Sequence, residues 1–246
     1  MSIESNDDLE GVREAGRVTM AILDALVEHL RAGVTTGELD DIAAAILTRD
    51  GARSAPAMVY RFPGHVLISV NDEIVHGIPG RRRIAAGDLV SLDVTVEKDG
   101  YVADAARSVV VGHGSPTATA LIAAAAAALA HGVAVARAGV PVNAIGRAVQ
   151  SEVRRRGFSV VRGLCGHGVG RTIHEAPEVP NVYDRSLRDV LTDGLVLTIE
   201  PMISAGSSYP VQSADGWTLR TRDGSLAAHC EHTLVITTGK PLILAA

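Results

Sequence analysis

Two aspartates lie in a stretch of sequence that otherwise has the pattern of two buried strands. Asp93 follows Leu92 in SLDVTVE, and Asp104 follows Ala103 in YVADAARSVVV. An ionised carboxylate in an apolar interior costs roughly several kcal/mol unless it is paired with a cation or bound to a metal. The two residues therefore predict a site where buried carboxylates meet positive charge.

The second half of the chain contains similar segments. GDLVSLD, which ends at Asp93, resembles GLVLTIE, which ends at Glu200. DAARSVVVG, from Asp104, matches EHTLVITTG, from Glu231, in length and in its final glycine. Each half is thus predicted to contribute two strand carboxylates to one shared site.

Metal ions are the best source of the positive charge that such a site needs. The four strands offer only Lys98 and Arg107 as basic residues, and Lys98 lies in a turn. His167 in LCGHGVGRTIHEAP is the predicted fifth ligand, flanked by glycines that let the backbone approach closely. Four carboxylates and one imidazole suit two divalent ions of cobalt, manganese, iron or zinc about 3.5–4 Å apart. Such a pair lowers the pKa of a bound water, so the predicted reaction is hydrolysis.

Two further histidines occur in similar loops of the two halves. IVHGIP contains His76 and TIHEAP contains His174, and this correspondence predicts functional roles for both. A thiol nucleophile at Cys165, close to His167, is an alternative, but no asparagine or acid is placed to orient that histidine. The remaining histidines are expected to be structural or exposed: His29, His65, His113, His131, His229 and His232.

The elements that must position these residues follow a repeated order. Helices are predicted over about 8–31, ending near Gly33, and from a capping box at Thr35 to about 50, before strands that include a hairpin at Asp99-Gly100. Two helices, over about 116–137 and 141–156, then precede a strand near Phe158 and the runs GLVLTIEPMIS and HCEHTLVITTG. We therefore predict a single catalytic domain over 1–246 with pseudo-repeats at about 8–112 and 115–240.

Composition narrows the class of protein. The chain has 246 residues, 47% of them hydrophobic, and 23 basic and 28 acidic residues give a net charge of -5, which does not favour a nucleic acid or anionic membrane partner. The acidic N-terminus has no signal-peptide core, and the apolar run near residue 125 is interrupted by His131 and Arg137, as in a soluble helix. Two cysteines make no disulfide framework, so a cytoplasmic location is expected.

The motifs around these residues resemble those of the methionine aminopeptidases of the short bacterial type I form. The resemblance lies in NDEIVHGIP, SLDVTVEKDGYVADAARS, GHGVGRTIHEAP, TIEPM and DGWTLRTRDGSLAAHCEHTLVIT, in the family's order. These motifs extend from about Asn71 to Thr237, and the helical start brings the similarity to nearly the whole chain.

The resemblance implies an α+β pita-bread fold, in which two pseudo-symmetric halves form a curved antiparallel sheet covered by helices. It also implies the metal ligands Asp93, Asp104, His167, Glu200 and Glu231. Asp104 and Glu231 are expected to bridge both metals, and Glu200 is expected to act as general base as well. His76 and His174 are expected to contact the substrate, with His174 stabilising the negative charge that develops on the carbonyl oxygen.

The implied substrate is the N-terminus of a nascent polypeptide, from which methionine is removed when the second residue is small. By position, an apolar methionine pocket is predicted from Phe62, Leu67, Ile173 and Trp217. Such a substrate allows a transient ribosome contact, and we expect a monomer with no nucleic-acid-binding motif and no membrane association. Many bacterial members read Tyr-His-Gly-Tyr-Pro where this chain has VYRFP, and Pro56 replaces a common cysteine, so the pocket shape is expected to differ.

Three alternatives stay open. A prolidase or aminopeptidase P usually carries an additional N-terminal domain, whereas a short segment precedes His76 here. A type II methionine aminopeptidase has a helical insertion, for which the interval between His174 and Glu200 leaves little room. A non-catalytic binding module of the same fold would be expected to lack some of the ligands.

Overall fold

A computed structural model describes residues 1–246 as helices packed on antiparallel strands, which confirms the α+β class. The helices are α1 (Asn6–His29), α2 (Thr36–Asp50), α3 (Ala55–Tyr60), α4 (Pro116–Val135) and α5 (Asn143–Arg155). The strands up to residue 110 are β1 (Arg53–Ser54), β2 (Leu67–Val70), β3 (Glu73–Val75), β4 (Leu89–Lys98) and β5 (Tyr101–Val110). The later strands are β6 (Ser159–Val160), β7 (Cys165–Gly168), β8 (Glu175–Pro180), β9 (Val196–Ile199), β10 (Met202–Ser204), β11 (Pro210–Gln212), β12 (Leu219–Thr221), β13 (Ala227–His229), β14 (His232–Val235) and β15 (Leu242–Ala245).

The first two helices both begin at a side chain that caps the helix N-terminus. The Ser5 side chain accepts a hydrogen bond from the Asp8 backbone at the start of α1. The predicted capping box is present at α2, where Thr35 and Glu38 each satisfy a backbone N–H of the other. Helix α2 ends at Gly51 in the left-handed conformation, as expected for a glycine in that place.

The predicted hairpin between β4 and β5 turns at Asp99-Gly100. Both turn residues have positive φ, 51° and 84°, and Lys98 is opposite Tyr101 in the register. Alternate residues of β4 face opposite sides of the sheet. One side, which includes Leu92 and Val94, packs in the core with the apolar face of α1. The other side therefore carries Asp93 away from α1.

The two later runs were predicted to carry Glu200 and Glu231 on strands, but each run is divided in two and neither glutamate lies within a strand. GLVLTIEPMIS forms β9 and β10, which belong to different sheets, and Glu200 stands between them. The following Pro201 has no N–H to donate to a ladder, which favours a break there. HCEHTLVITTG likewise begins at the end of β13 and continues in β14, with Glu231 just before β14. Both glutamates thus lie where the chain passes from one sheet to another.

Backbone hydrogen bonds join the four-stranded sheet of β1, β2, β4 and β5 to the five-stranded sheet of β7, β8, β9, β14 and β15. Ala106 on β5 and Glu231 each donate an N–H to the carbonyl of the other, at 3.4 and 3.0 Å. The two halves of the sequence also meet in a separate three-stranded sheet, where β3 pairs with β12. This junction brings the carboxylates of β5 next to those near β14.

Helix α4 is long and apolar enough to cross a membrane by length and composition alone. In the fold it packs against α5 and the strand β13, with Leu121, Ala125 and Leu129 in the largest hydrophobic core. This is the packing of a core helix and agrees with the prediction of a soluble one.

Candidate metal centre

Asp93 and Asp104 project from the same face of the β4–β5 hairpin. Asp93 is opposite Ala106 and Asp104 is opposite Thr95 in the register, so the two carboxylates are neighbours across the ladder. Both are buried, with 8% and 5% of their surface exposed. The Thr95 hydroxyl donates to Asp104 Oδ2 at 2.9 Å, and this bond fixes one carboxylate oxygen.

The second half of the chain supplies His167, Glu200 and Glu231. His167 lies on β7, and its Nε2 is 3.3 Å from Glu200 Oε1. Thr198 on β9 connects the two residues, because its hydroxyl accepts from the His167 backbone N–H at 3.2 Å and donates to Glu200 Oε1 at 3.1 Å. Glu231 is held through its backbone at the junction with Ala106.

All five predicted ligands come together at the junction of the two sheets. One ligand atom from each of Asp104, His167 and Glu231 lies within 4.8 Å of the others. Thr233 strengthens the junction, since its hydroxyl accepts from the Asp104 N–H at 2.9 Å and donates to the Asp104 carbonyl at 2.7 Å. Asp93, Asp104, Glu200 and Glu231 are called the carboxylate cluster below.

Burial makes the carboxylate cluster electrostatically unfavourable by itself. Removal from water is the largest cause that raises the pKa of all four acids, well above the usual range for three of them and to about 7 for Asp104. The two basic residues of these strands do not compensate, because Lys98 contacts Asp99 and Arg107 contacts Asp24. The cluster therefore lacks the positive charge that its ionised form requires.

The donor set fits divalent cations. Asp104 Oδ1 and Glu231 Oε1 are buried and have no hydrogen-bond partner. Burial lowers the pKa of His167 to about 4, so its imidazole is neutral and keeps a lone pair on Nε2, while Nδ1 lies 3.0 Å from the Gly168 carbonyl. Carboxylate oxygens with one neutral imidazole are donors that manganese, iron, cobalt and zinc all accept.

A cavity of about 720 Å³ opens onto the carboxylate cluster. Phe62, Leu67, Ile173 and Trp217, the four residues predicted for an apolar pocket, all line it. Phe62 packs on Trp217 edge to face, with ring centroids 5.3 Å apart. The lining of the cavity thus combines apolar side chains with potential metal-binding donors.

His76 and His174 line the same cavity from opposite halves of the sequence. His76 follows β3 with a positive φ of 61°, and burial lowers the pKa of its ring. The His174 ring packs on that of His167, with centroids 4.2 Å apart. Its Nδ1 is 2.6 Å from the Tyr60 hydroxyl, a contact that the sequence did not predict because the two residues lie far apart in the chain.

Cys165 also lines the cavity, but its thiol is poorly suited to be a nucleophile. Burial, together with the nearby Glu178 and Glu200, raises the thiol pKa to about 11. The reactive thiolate is therefore scarce near neutral pH, which argues against the cysteine alternative.

His229 was expected to be structural or exposed, and the structure places it against the carboxylate cluster. Its ring nitrogens approach carboxylate oxygens of Asp93, Glu200 and Glu231 at 3.6–4.0 Å, and the residue is 1% exposed. One sequence feature could have predicted this position. His229 lies two residues before Glu231, and residues two apart along an extended chain share a face.

Comparison with known proteins gives full-length matches. The family model described as metallopeptidase family M24 matches residues 10–238. Methionine aminopeptidase 2 of Bacillus subtilis (strain 168) is 41% identical over 246 residues, which span 99% of each chain. The crystal structure of methionine aminopeptidase from Rickettsia prowazekii superposes with a TM-score of 0.96 at 35% identity and covers 100% of both chains. Prolidase from Pyrococcus furiosus, at 22% identity and a TM-score of 0.80, shares the fold, and the match covers 65% of that chain.

Proposed function

The chain belongs to metallopeptidase family M24, and we propose that its carboxylate cluster, with His167, binds two divalent ions and serves to remove the N-terminal methionine from polypeptides. It has the pita-bread fold of that family and is a hydrolase of the methionyl aminopeptidase type, as its full-length similarity to methionine aminopeptidases shows. The observation that carries the metal assignment is the buried set of five donors with two unpaired carboxylate oxygens.

The proposed ligands are Asp93, Asp104, His167, Glu200 and Glu231. Asp104 and Glu231 would both help to hold the ions, a role supported by their position at the junction of the sheets and by the unpaired oxygen that each retains. Two divalent ions held there would lower the pKa of a bound water and polarise the carbonyl of the first peptide bond. Cobalt, manganese, iron and zinc all suit this donor set.

Glu200 is the proposed general base. One of its oxygens, Oε1, accepts a hydrogen bond from Thr198, and this bond orients the carboxylate. A carboxylate held in this position can accept a proton from the attacking water and pass it to the departing amine. The reaction then breaks the amide bond and releases methionine and a shortened polypeptide.

His174 is proposed to donate a hydrogen bond to the carbonyl oxygen under attack. When the Tyr60 hydroxyl donates to Nδ1, the proton of the neutral ring resides on Nε2. Nε2–H can then stabilise the negative charge that develops on the oxygen. His76, which lines the same cavity, is proposed to contact the substrate as well.

The proposed pocket for the methionine side chain is the part of the cavity lined by Phe62, Leu67, Ile173 and Trp217. We further propose that the second residue of the substrate must be small. The proposed natural substrates are nascent polypeptides in the cytoplasm, and the protein would act on them as a monomer during transient contact with the ribosome. The single-domain organisation with pseudo-repeats at 8–112 and 115–240 is part of the same proposal, and the repeated order of helices and strands supports it.

A peptide panel tests this function. The peptides Met-Ala-Ser, Leu-Ala-Ser, Met-Leu-Ser and Ala-Pro are incubated separately with the protein and with Co²⁺, Mn²⁺, Fe²⁺ or Zn²⁺, and free amino acids are measured. We expect release of methionine from Met-Ala-Ser, much slower release from Met-Leu-Ser, and little cleavage of the other two. Cleavage of Ala-Pro in preference to Met-Ala-Ser would instead support the prolidase alternative, and inactivity with every metal would support a binding module.

A further inference from the structure

The ring of His229 is buried beside the carboxylate cluster without a hydrogen bond to either nitrogen. Nδ1 lies 3.9 Å from Asp93 Oδ2, and Nε2 lies 3.6 Å from Glu200 Oε2 and 4.0 Å from Glu231 Oε2. Buried imidazole nitrogens normally have partners, because a buried nitrogen without one has lost its hydrogen bond to water and gained none in return. Both nitrogens are thus turned toward oxygens that are too far away for hydrogen bonds.

The backbone of His229 is held firmly, so the direction of its ring is well defined. The strand β13 pairs with β10, where His229 is opposite Met202. The His229 N–H donates to the Ser108 hydroxyl at 2.8 Å, and that hydroxyl donates to the His229 carbonyl at 2.7 Å. Ser108 itself lies on β5, so His229 is fixed to the same strand that carries Asp104.

The chemistry of imidazole indicates what is needed between these atoms. A neutral ring has one N–H donor and one lone pair. A carboxylate can accept from the donor nitrogen, whereas a lone pair and a carboxylate repel unless a cation lies between them. Donors that share one ion, each about 2.0–2.2 Å from it, lie about 3–4 Å from one another. The separations from Nε2 to Glu200 and Glu231 fall in that range.

We propose that His229 Nε2 is a further ligand of the ion held by Glu200 and Glu231, and that Nδ1–H is directed at Asp93. This inference rests on the proposed metal function of the carboxylate cluster. A second imidazole shifts the donor set from oxygen toward nitrogen, so the site favours cobalt, iron and zinc over manganese more strongly than a site with His167 alone.

The test counts imidazole ligands in the protein loaded with Co²⁺ alone. Each histidine bound to Co²⁺ through one nitrogen contributes a strongly shifted ¹H NMR signal from its other N–H, which disappears in D₂O. We expect two such signals in the wild type, from His167 and His229, and one in His229→Gln. The matched control is His232→Gln, because His232 follows Glu231 directly and its Nδ1 contacts the Glu231 carbonyl at 2.8 Å; this variant should keep both signals.

Binding isotherms give a second readout on the same proteins. We expect His229→Gln to weaken Co²⁺ binding about 10- to 100-fold, with a smaller loss for Mn²⁺. A wild type with one exchangeable signal, or a His229→Gln variant with two, would overturn the proposal even if that variant bound Co²⁺ less tightly. Methionine release by the same wild-type sample is measured in parallel. A sample that releases methionine but shows one exchangeable signal refutes only the role of His229, whereas a sample that releases no methionine counts against the proposed function.

Discussion

The carboxylate cluster should make the metal-free protein less stable as pH rises, and Asp104→Asn should remove much of this effect. The folded protein holds the Asp104 proton up to about pH 7, whereas the unfolded chain releases it near 3.8. Between these values the folded state binds more protons, so the free energy of unfolding falls as pH increases. Asparagine has nearly the same shape but does not ionise, which makes it the suitable replacement.

The magnitude follows from the pKa difference. The pKa of Asp104 is about 7 in the folded protein and 3.8 in the unfolded chain. At about 1.4 kcal/mol per pKa unit, this difference lowers the free energy of unfolding by about 4 kcal/mol once Asp104 is ionised in both states. Neighbouring acids share this loss of stability. For the metal-free Asp104→Asn variant at pH 8, about 4 kcal/mol is therefore the upper end of the expected increase in the free energy of unfolding relative to the wild type. The gain should decrease toward zero as pH falls toward 4.

Urea unfolding after chelation, from pH 5 to pH 8, measures the effect. Asp24→Asn is the matched control, because Asp24 is an exposed acid that pairs with Arg107 and lies outside the carboxylate cluster. Added Mn²⁺ should stabilise the wild type and the control but not Asp104→Asn, which reverses the order of stability. If metal-free Asp104→Asn is less stable than the wild type at pH 8, the reasoning on burial is wrong.

Three further substitutions test the remaining groups of the site. His174→Ala should lower kcat about 100- to 1000-fold with unchanged metal content by elemental analysis, as expected for loss of a donor to the carbonyl oxygen; an unchanged kcat would exclude that role. Tyr60→Phe should lower kcat about 3- to 10-fold with little change in KM, because His174 loses the partner that fixes its proton on Nε2, and a wild-type rate would contradict the Tyr60 contact. Cys165→Ser should keep its kcat within about twofold of wild type, whereas its inactivation would revive the thiol alternative.

Features that depend on nearby residues were predictable from the sequence. The hairpin followed from Asp99-Gly100, where both residues have positive φ, and helix α2 followed from the Thr35 and Glu38 capping box. The buried position of Asp93 followed from the apolar residues on each side of it. Each of these predictions uses only a few neighbouring residues, whose local conformations sequence patterns specify well.

Features that depend on distant pairing were not predictable in the same way. The junction of Ala106 with Glu231 joins strands from different parts of the chain, and no local pattern specifies its register. The breaks at Glu200 and Glu231 were also missed, because each run is continuous in hydrophobicity while its two parts pair in different sheets. The direction of the His229 ring depends on the pairing of β13 with β10, so its place beside the carboxylate cluster became visible only in the fold.

Anomalous X-ray diffraction from crystals soaked in Mn²⁺ tests the central claim most directly. We predict two anomalous peaks about 3.5–4 Å apart among the oxygens of the carboxylate cluster, with Asp104 and Glu231 between them. The absence of both peaks from the carboxylate cluster at saturating Mn²⁺ would contradict the assignment of these buried acids as a dinuclear metal site.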